Sequence, residues 1–357
     1  YVPSEMIAAG IIMNGFFPEI GTIWWAVFFG LIVTILNLFR VDKFGESEFW
    51  LSLVMVTALV AFSVVALLIC LGLIGGDGYI GTRILLGSGG FAPNGYSAIA
   101  LTMVIILVNF QGTEIIGLAA GETADPARSI PTAVRNVTWR IIALYIVPIT
   151  LLISILPWDH ASLEESVFAA ALAEHGFTEL AALFSLVVLT AAISCSNSGL
   201  YGAARTVHAL ATMGMAPRML EGLSKQGVPS RAIYASIIFC WGVIGIYAMN
   251  PDGALYTYLL ALSGFSGAMA WISICWSQYR RRRKLEAEDA VSLLRYRMPL
   301  FPYVTLFGIW AQVLCLVVMF FTPDLRQALY AGIPMMILPM IWYRFHALTH
   351  NFAKVRA

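Results

Sequence analysis

Four consecutive residues, Gln111-Gly112-Thr113-Glu114, interrupt an apolar stretch that runs from about residue 96 to 122. The flanks of about thirteen and about seven residues are each too short to cross a bilayer core, which needs roughly 20. A carboxylate at mid-membrane costs a few kcal/mol and persists where it faces protein or a watery cavity. Gly112 lets the backbone leave helical geometry. Unwound backbone frees N–H and C=O groups that lipid cannot satisfy but a bound polar ligand can. Half-helix ends add partial charges, positive at an N-terminus and negative at a C-terminus. A zwitterion suits such ends, its carboxylate toward the amides and its ammonium toward the carbonyls. The alternative is a glycine kink with Glu114 bonded to a neighbouring helix.

Other polar groups recur inside apolar stretches. Ser194, Ser196, Asn197, Ser198 and Gly199 form a stripe in the stretch near 178–204. Ser194, Asn197 and Ser198 share one helical face, because residues three and four apart are neighbours. Ser263, Gly264, Ser266 and Gly267 form a similar cluster. Both can line a ligand site, and both can simply pack helices closely. Glu5 lies within the first apolar stretch. If it faces the same cavity, the site holds two carboxylates, which suits a cationic side chain or a proton relay. No catalytic constellation accompanies these groups. His160, His175, His208, His346 and His350 make no HExxH and no His–carboxylate cluster, and the five cysteines show no metal spacing. Neither enzyme activity nor a cofactor is expected.

The elements that hold these groups follow from composition. Of 357 residues, 60% are hydrophobic and only 11% charged, where a soluble domain carries about 25% charged residues. Mean hydropathy is +0.82, and the apolar residues come in long blocks, which implies membrane-spanning helices. Complete spans are expected near 22–39, 49–74, 96–122, 135–156, 178–204, 230–249, 253–279, 299–321 and 326–346, after a partial one near 1–17. With the loops alternating sides, 19 of the 21 Lys and Arg residues fall on one side, and Arg83 and Arg326 alone on the other. Positive charge marks the cytoplasmic side, so the C-terminus is expected inside. The loop 157–177 is then outside. The run Arg280-Arg281-Arg282-Arg283-Lys284 reads as a topology anchor at a cytoplasmic helix end, with acidic lipid or nucleic acid as the other options. Net charge of +1 gives no reason to expect nucleic acid. The chain opens Tyr1-Val2-Pro3 without a basic leader, and its first stretch reads as the second half of a helix.

The segment Phe110-Gln111-Gly112-Thr113-Glu114-Ile115-Ile116-Gly117, with Ala120-Gly121-Glu122 and Asp125-Pro126, resembles the bacterial amino acid permeases of the amino acid/polyamine/organocation superfamily. Asn197-Ser198-Gly199-Leu200-Tyr201 with Ala216-Pro217 and Gly227-Val228-Pro229 agrees, as do Phe44-Gly45-Glu46-Ser47-Glu48-Phe49-Trp50 and Tyr296-Arg297-Met298-Pro299 with Phe301-Pro302. The nearest likeness is to the S-methylmethionine and arginine permease branch. The resemblance covers essentially the whole chain and implies an all-α, LeuT-like fold of twelve helices built as an inverted repeat. It makes residues 1–357 one transmembrane domain that starts inside helix three, with 280–298 a cytoplasmic basic loop. The span near 96–122 becomes helix six and that near 178–204 helix eight.

The resemblance further implies that backbone around Val108, Phe110, Gln111, Gly112 and Thr113 meets the substrate. Ser194, Asn197 and Ser198 look in from helix eight, and Glu114 gates or couples to protons, with Glu5 as a second candidate. The implied activity is amino acid:proton symport at a bacterial inner membrane. Amino acid exchange is the alternative, and a non-transporting sensor a lesser one. The expected partners are an amino acid, protons and the lipid bilayer. One departure stands out: many members carry a Lys where this chain has Met55. Met cannot hold a proton, so either coupling rests on Glu114 or Glu5, or the protein couples differently, or the change is neutral.

Overall fold

Long apolar runs fold as helices because lipid offers the backbone no partner, and a helix satisfies every N–H and C=O internally. The structure, a computed structural model, describes residues 1–349 apart from 39–40, 77, 88, 91, 119–124, 162–165, 226, 250–252 and 295. Among the described residues there are helices and turns and no strand. The helices are α1 (Val2–Phe16), α2 (Thr22–Leu38), α3 (Val41–Cys70), α4 (Arg83–Gly87), α5 (Gly95–Ile106), α6 (Ile115–Leu118), α7 (Pro126–Ile141) and α8 (Val147–Ile155). There follow α9 (Val167–Glu174), α10 (Thr178–Thr212), α11 (Ser230–Met249), α12 (Gly253–Ala287), α13 (Tyr303–Phe321) and α14 (Pro323–Thr349). A 3₁₀ turn, Leu107–Phe110, continues α5, and a π turn, Ile142–Ile146, joins α7 to α8 just before Pro148.

Among the described residues, seven helical segments are long and apolar enough to cross a membrane. The nine expected spans correspond to α2, α3, the interrupted α5–α6, α7–α8 and α10 to α14. Two of them miss the length requirement for physical reasons. Helix α2 has 17 residues, and α5–α6 is broken at its polar centre. Several boundaries differ from expectation. Helices α10 and α12 have 35 residues each, about 52 Å at 1.5 Å per residue, so they overrun a ~30 Å core. Helical hydrogen bonding does not stop where lipid stops. Helix α7 starts at Pro126 rather than near 135, because Asp125 caps it: its Oδ1 accepts from the Arg128 amide at 3.3 Å, with proline at the first position. Within the expected outer loop 157–177 lies α9, capped by Ser166 and burying Ala169, Ala171 and Leu172. Its apolar run is too short to span, and it packs against α10 and α8. The motif residues Ala120 to Glu122 and the basic residues Arg40, Arg295, Lys354 and Arg356 lie outside the described residues.

The chain divides into two compact units, Tyr1–Gly95 with Gly112–Asp252, and Tyr96–Gln111 with Gly253–Ala357. In the first, α10 is the hub, packing against α1, α2, α3, α6, α9 and α11. One core joins Phe62, Ile69, Ile155, Leu172 and Phe184; another joins Met6, Val33, Leu200 and Ile237. Helices approach closely at small residues: a Cβ on Gly10 would stand 2.5 Å from the Thr22 carbonyl oxygen. In the second unit, α12 packs on α13, α14 and the 3₁₀ turn, around Phe265, Met319, Leu325 and Leu329.

Phe62 is fully packed, with its ring 4.9 Å from Phe168 and 5.5 Å from Phe184. Phe62→Ala should therefore cost about 3 kcal/mol through the cavity it leaves. Thermal unfolding in detergent measures this, and a loss below about 1 kcal/mol would contradict the packing described.

Candidate functional site

The polar centre of the interrupted helix breaks as its residue types dictate. Helix α5 tightens into the 3₁₀ turn at Leu107, then residues 111–114 form turns before α6 resumes. Gly112 has φ +102°, a left-handed conformation that strains any other residue, and a Cβ there would meet open space. Backbone, rather than packing, is thus what demands glycine. The Gly112 amide donates to Glu114 Oε1 at 3.1 Å, so the carboxylate caps the unwound turn locally. The Gly117 amide donates to the Glu114 carbonyl at 2.9 Å as α6 begins. Val108 and Phe110 lie in the 3₁₀ turn, Phe110 half-buried, while Thr113 is exposed.

The chain passes from one unit to the other at the Gln111–Gly112 bond. On the Gln111 side, the amide locks onto α12. Its Nε2 donates to the Ser263 carbonyl at 2.6 Å, and Ser263 Oγ donates to its Oε1 at 2.9 Å. Ser266 Oγ donates to the same Ser263 carbonyl at 2.9 Å. Gly267 makes this possible, since a Cβ on it would overlap the Gln111 Nε2. The small-polar cluster of α12 therefore receives a side chain from the broken helix instead of merely packing helices.

On the other side, α6 packs against α10, which carries the second polar stripe. Ser194 and Asn197 are buried, and Ser198 is half-buried beside them. Ser194 Oγ donates to Glu48 Oε2, and Asn197 Nδ2 donates to Glu48 Oε1, each at 2.6 Å. Asn37 of α2 donates from Nδ2 to Asn197 Oδ1 at 2.7 Å and to the Val33 carbonyl at 3.1 Å. The expected site face of α10 is thus tied to a carboxylate on α3. Glu48 and Asn37 were missed by sequence reasoning. The available signal was an acid at the very start of the apolar run of α3, within Phe44–Trp50. Met55 lies seven residues beyond Glu48, half-buried on the same helix. Glu5 is half-buried on α1 and lies in electrostatic reach of Cys195, whose thiol pairs with the Tyr1 hydroxyl. An open cavity of about 230 Å³ in the first unit, lined by Ile11, Ile12, Ala169, Ala182 and Ser185 among others, holds no ionisable side chain and does not suit a zwitterion.

Many large apolar side chains on the described long helices are exposed, among them Trp24, Phe28, Phe239, Phe307 and Trp310. Such a surface is stable only in lipid, so the molecule is a multi-pass helical membrane protein with a break in one span. The sequence profile of the amino acid permease family matches residues 1–353, and the chain belongs to that family, whose members are transporters rather than enzymes. It is 35% identical over 346 residues to the amino-acid permease RocC of Bacillus subtilis, covering 95% of this chain and 73% of that one. It is 36% identical over 369 residues to the lysine-specific permease LysP of Escherichia coli, covering 97% and 74%. It is 36% identical over 325 residues to the gamma-aminobutyric acid permease of Bacillus subtilis, covering 91% and 69%.

The paired bonds between Gln111 and Ser263 make a testable coupling. Gln111→Ala and Ser263→Ala should each destabilise the protein, and the double variant should cost about 1 kcal/mol less than their sum. Additive losses in thermal unfolding would show that the two side chains do not act together.

Proposed function

We propose that this permease imports an amino acid together with a proton by alternating access, with the unwound backbone from Leu107 to Glu114 as the substrate seat. The carrying observation is that unwinding itself: a span in which a 3₁₀ turn and the left-handed Gly112 replace regular α-helix at a polar centre. Backbone at Val108, Phe110, Gln111, Gly112 and Thr113 supplies donors and acceptors for the substrate's ammonium and carboxylate. Ser194, Asn197 and Ser198 are the polar side chains that α10 contributes to this reading. Glu114 gates the turn, because its bond to the Gly112 amide must change when the backbone engages substrate. Glu5 supplies a second carboxylate, which favours an amino acid with a cationic side chain. Similarity to a lysine-specific permease supports that choice, as does the likeness to the arginine and S-methylmethionine branch.

In this reading residues 1–357 act as one transport domain with the LeuT-like inverted repeat, corresponding to helices three to twelve of twelve. The protein sits in a bacterial inner membrane with its C-terminus and the 280–298 loop in the cytoplasm, a placement that the distribution of Lys and Arg supports. With Met55 carrying no charge, the proton is handled by carboxylates.

Uptake of labelled arginine by the full-length protein in proteoliposomes should rise with an inward proton gradient and be competed by cationic amino acids. Counterflow that proceeds at full rate while the gradient has no effect would instead establish exchange. Glu114→Gln should lower gradient-driven uptake by about tenfold or more, which is roughly 1.4 kcal/mol. Full, proton-driven uptake by that variant would remove Glu114 from the mechanism.

A further inference from the structure

The carboxylate of Glu48 was given no role above, yet it is bound to Ser194 and Asn197, two of the α10 residues assigned to the substrate seat. Its two oxygens accept from two buried partners on α10, and a third residue on α2 fixes the direction of the network. We propose that Glu48 is the proton-binding residue of the transport cycle, and that the proton is taken by Oε2, on the Ser194 side. This deepens the proton-coupled reading above and rests on it.

The two oxygens are not equivalent. Asn197 is 0% exposed and is held at both ends. Its Oδ1 accepts from Asn37 at 2.7 Å, so its Nδ2 must point at Glu48 Oε1 and donate. Asn37 cannot turn over without also losing its bond to the Val33 carbonyl. Oε1 is therefore confined to accepting. Ser194 differs, because a hydroxyl rotates and both donates and accepts. When a proton from water adds to Oε2, the new O–H donates to Ser194 Oγ. The serine's own hydrogen is free to turn to the carbonyl one turn back on α10, at Thr190. One bond reverses and none is lost, and when the proton leaves for water on the other side, the original pattern returns. No electrons move, and the only change is one proton on one oxygen.

Charge argues the same way. Among the described residues no cation pairs with Glu48, whose partners are a hydroxyl and an amide. Titratable groups of both signs lie on the neighbouring elements, with Arg140 in reach of Tyr145. Cys195 on α10 feels both Glu48 and Glu5; Tyr1 and Glu5 come from α1, and Tyr145 from the π turn. On α3 itself Asp42, Lys43 and Glu46 precede Glu48 in sequence, while α2 and α8 carry no titratable side chain. On α10, Arg205 sits over the Tyr201 ring and His208 bonds to the Leu220 carbonyl, two turns or more further along. A negative charge held by neutral donors inside a membrane protein is neutralised most directly by a proton. Protonation replaces a charge-assisted bond between α3 and α10 by a weaker neutral one. Helix α10 also packs on α6, the segment that follows the unwound turn, so a looser α3–α10 tie reaches the substrate seat through direct contacts.

The test uses the full-length protein in proteoliposomes with labelled arginine. Glu48→Gln should lose gradient-driven accumulation by about tenfold or more while counterflow persists and no longer varies with pH. Ser194→Ala keeps the carboxylate but removes a donor to its ionised form, so the pH of half-maximal uptake should move up by about 0.5–1 unit. Wild-type pH profiles and accumulation in Glu48→Gln would overturn the proposal. If that variant does not fold, an unmoved pH profile in Ser194→Ala overturns it instead. A wild-type protein indifferent to the gradient would fail the coupled reading itself, and the Glu48 assignment would fall with it.

Discussion

Backbone polar groups inside a bilayer must be satisfied, and this one constraint orders most of the molecule. Every long helix meets it internally. The interrupted helix does not, between Leu107 and Glu114, and the surrounding residues divide the unmet groups among themselves. Gly112 adopts the conformation the break needs, and Glu114 accepts from its amide. Gln111 fixes the end of the preceding half by two bonds to Ser263, in a space that Gly267 leaves open. Backbone at such a break presents both signs of partial charge, which is the complement of an amino acid's own termini.

Around this break the polar side chains are distributed by rigidity rather than by nearness in sequence. Helix α10 is the hub of its unit, and its buried stripe is bound to Glu48 and Asn37 instead of being left open. A serine or asparagine in a membrane helix gains little from a neutral partner, and considerably more from an ionised carboxylate. The tie between α3 and α10 is accordingly a charge-assisted one. It joins three helices, and close approaches at small residues, such as Gly10 against Thr22, add to their packing.

Much of this was legible in the sequence. Length and apolarity located the helices, and a glycine among polar residues at mid-span located the break, because both signals are local. The two polar clusters were also visible, but their roles were not. Ser263 to Gly267 look like packing residues until the structure brings Gln111 to them across 152 positions. Glu48 looks like the edge of a span until α3 and α10 pair with the register that sets it beside Asn197, 149 positions away. Helical periodicity says which residues share a face and nothing about which face of another helix they meet. The short helix α9 was hidden for a different reason: its apolar run is too short to register as a span and too regular to be a loop.

The most direct test of the central claim is hydrogen exchange at the backbone amides from Leu107 to Glu114. It should be measured on the full-length protein with and without saturating arginine. If this backbone is the substrate seat, exchange of the amides at Gly112 and Thr113 slows by about tenfold or more on binding. If arginine binds and is transported while these amides exchange at the same rate, the substrate sits elsewhere and the break serves only as a bend.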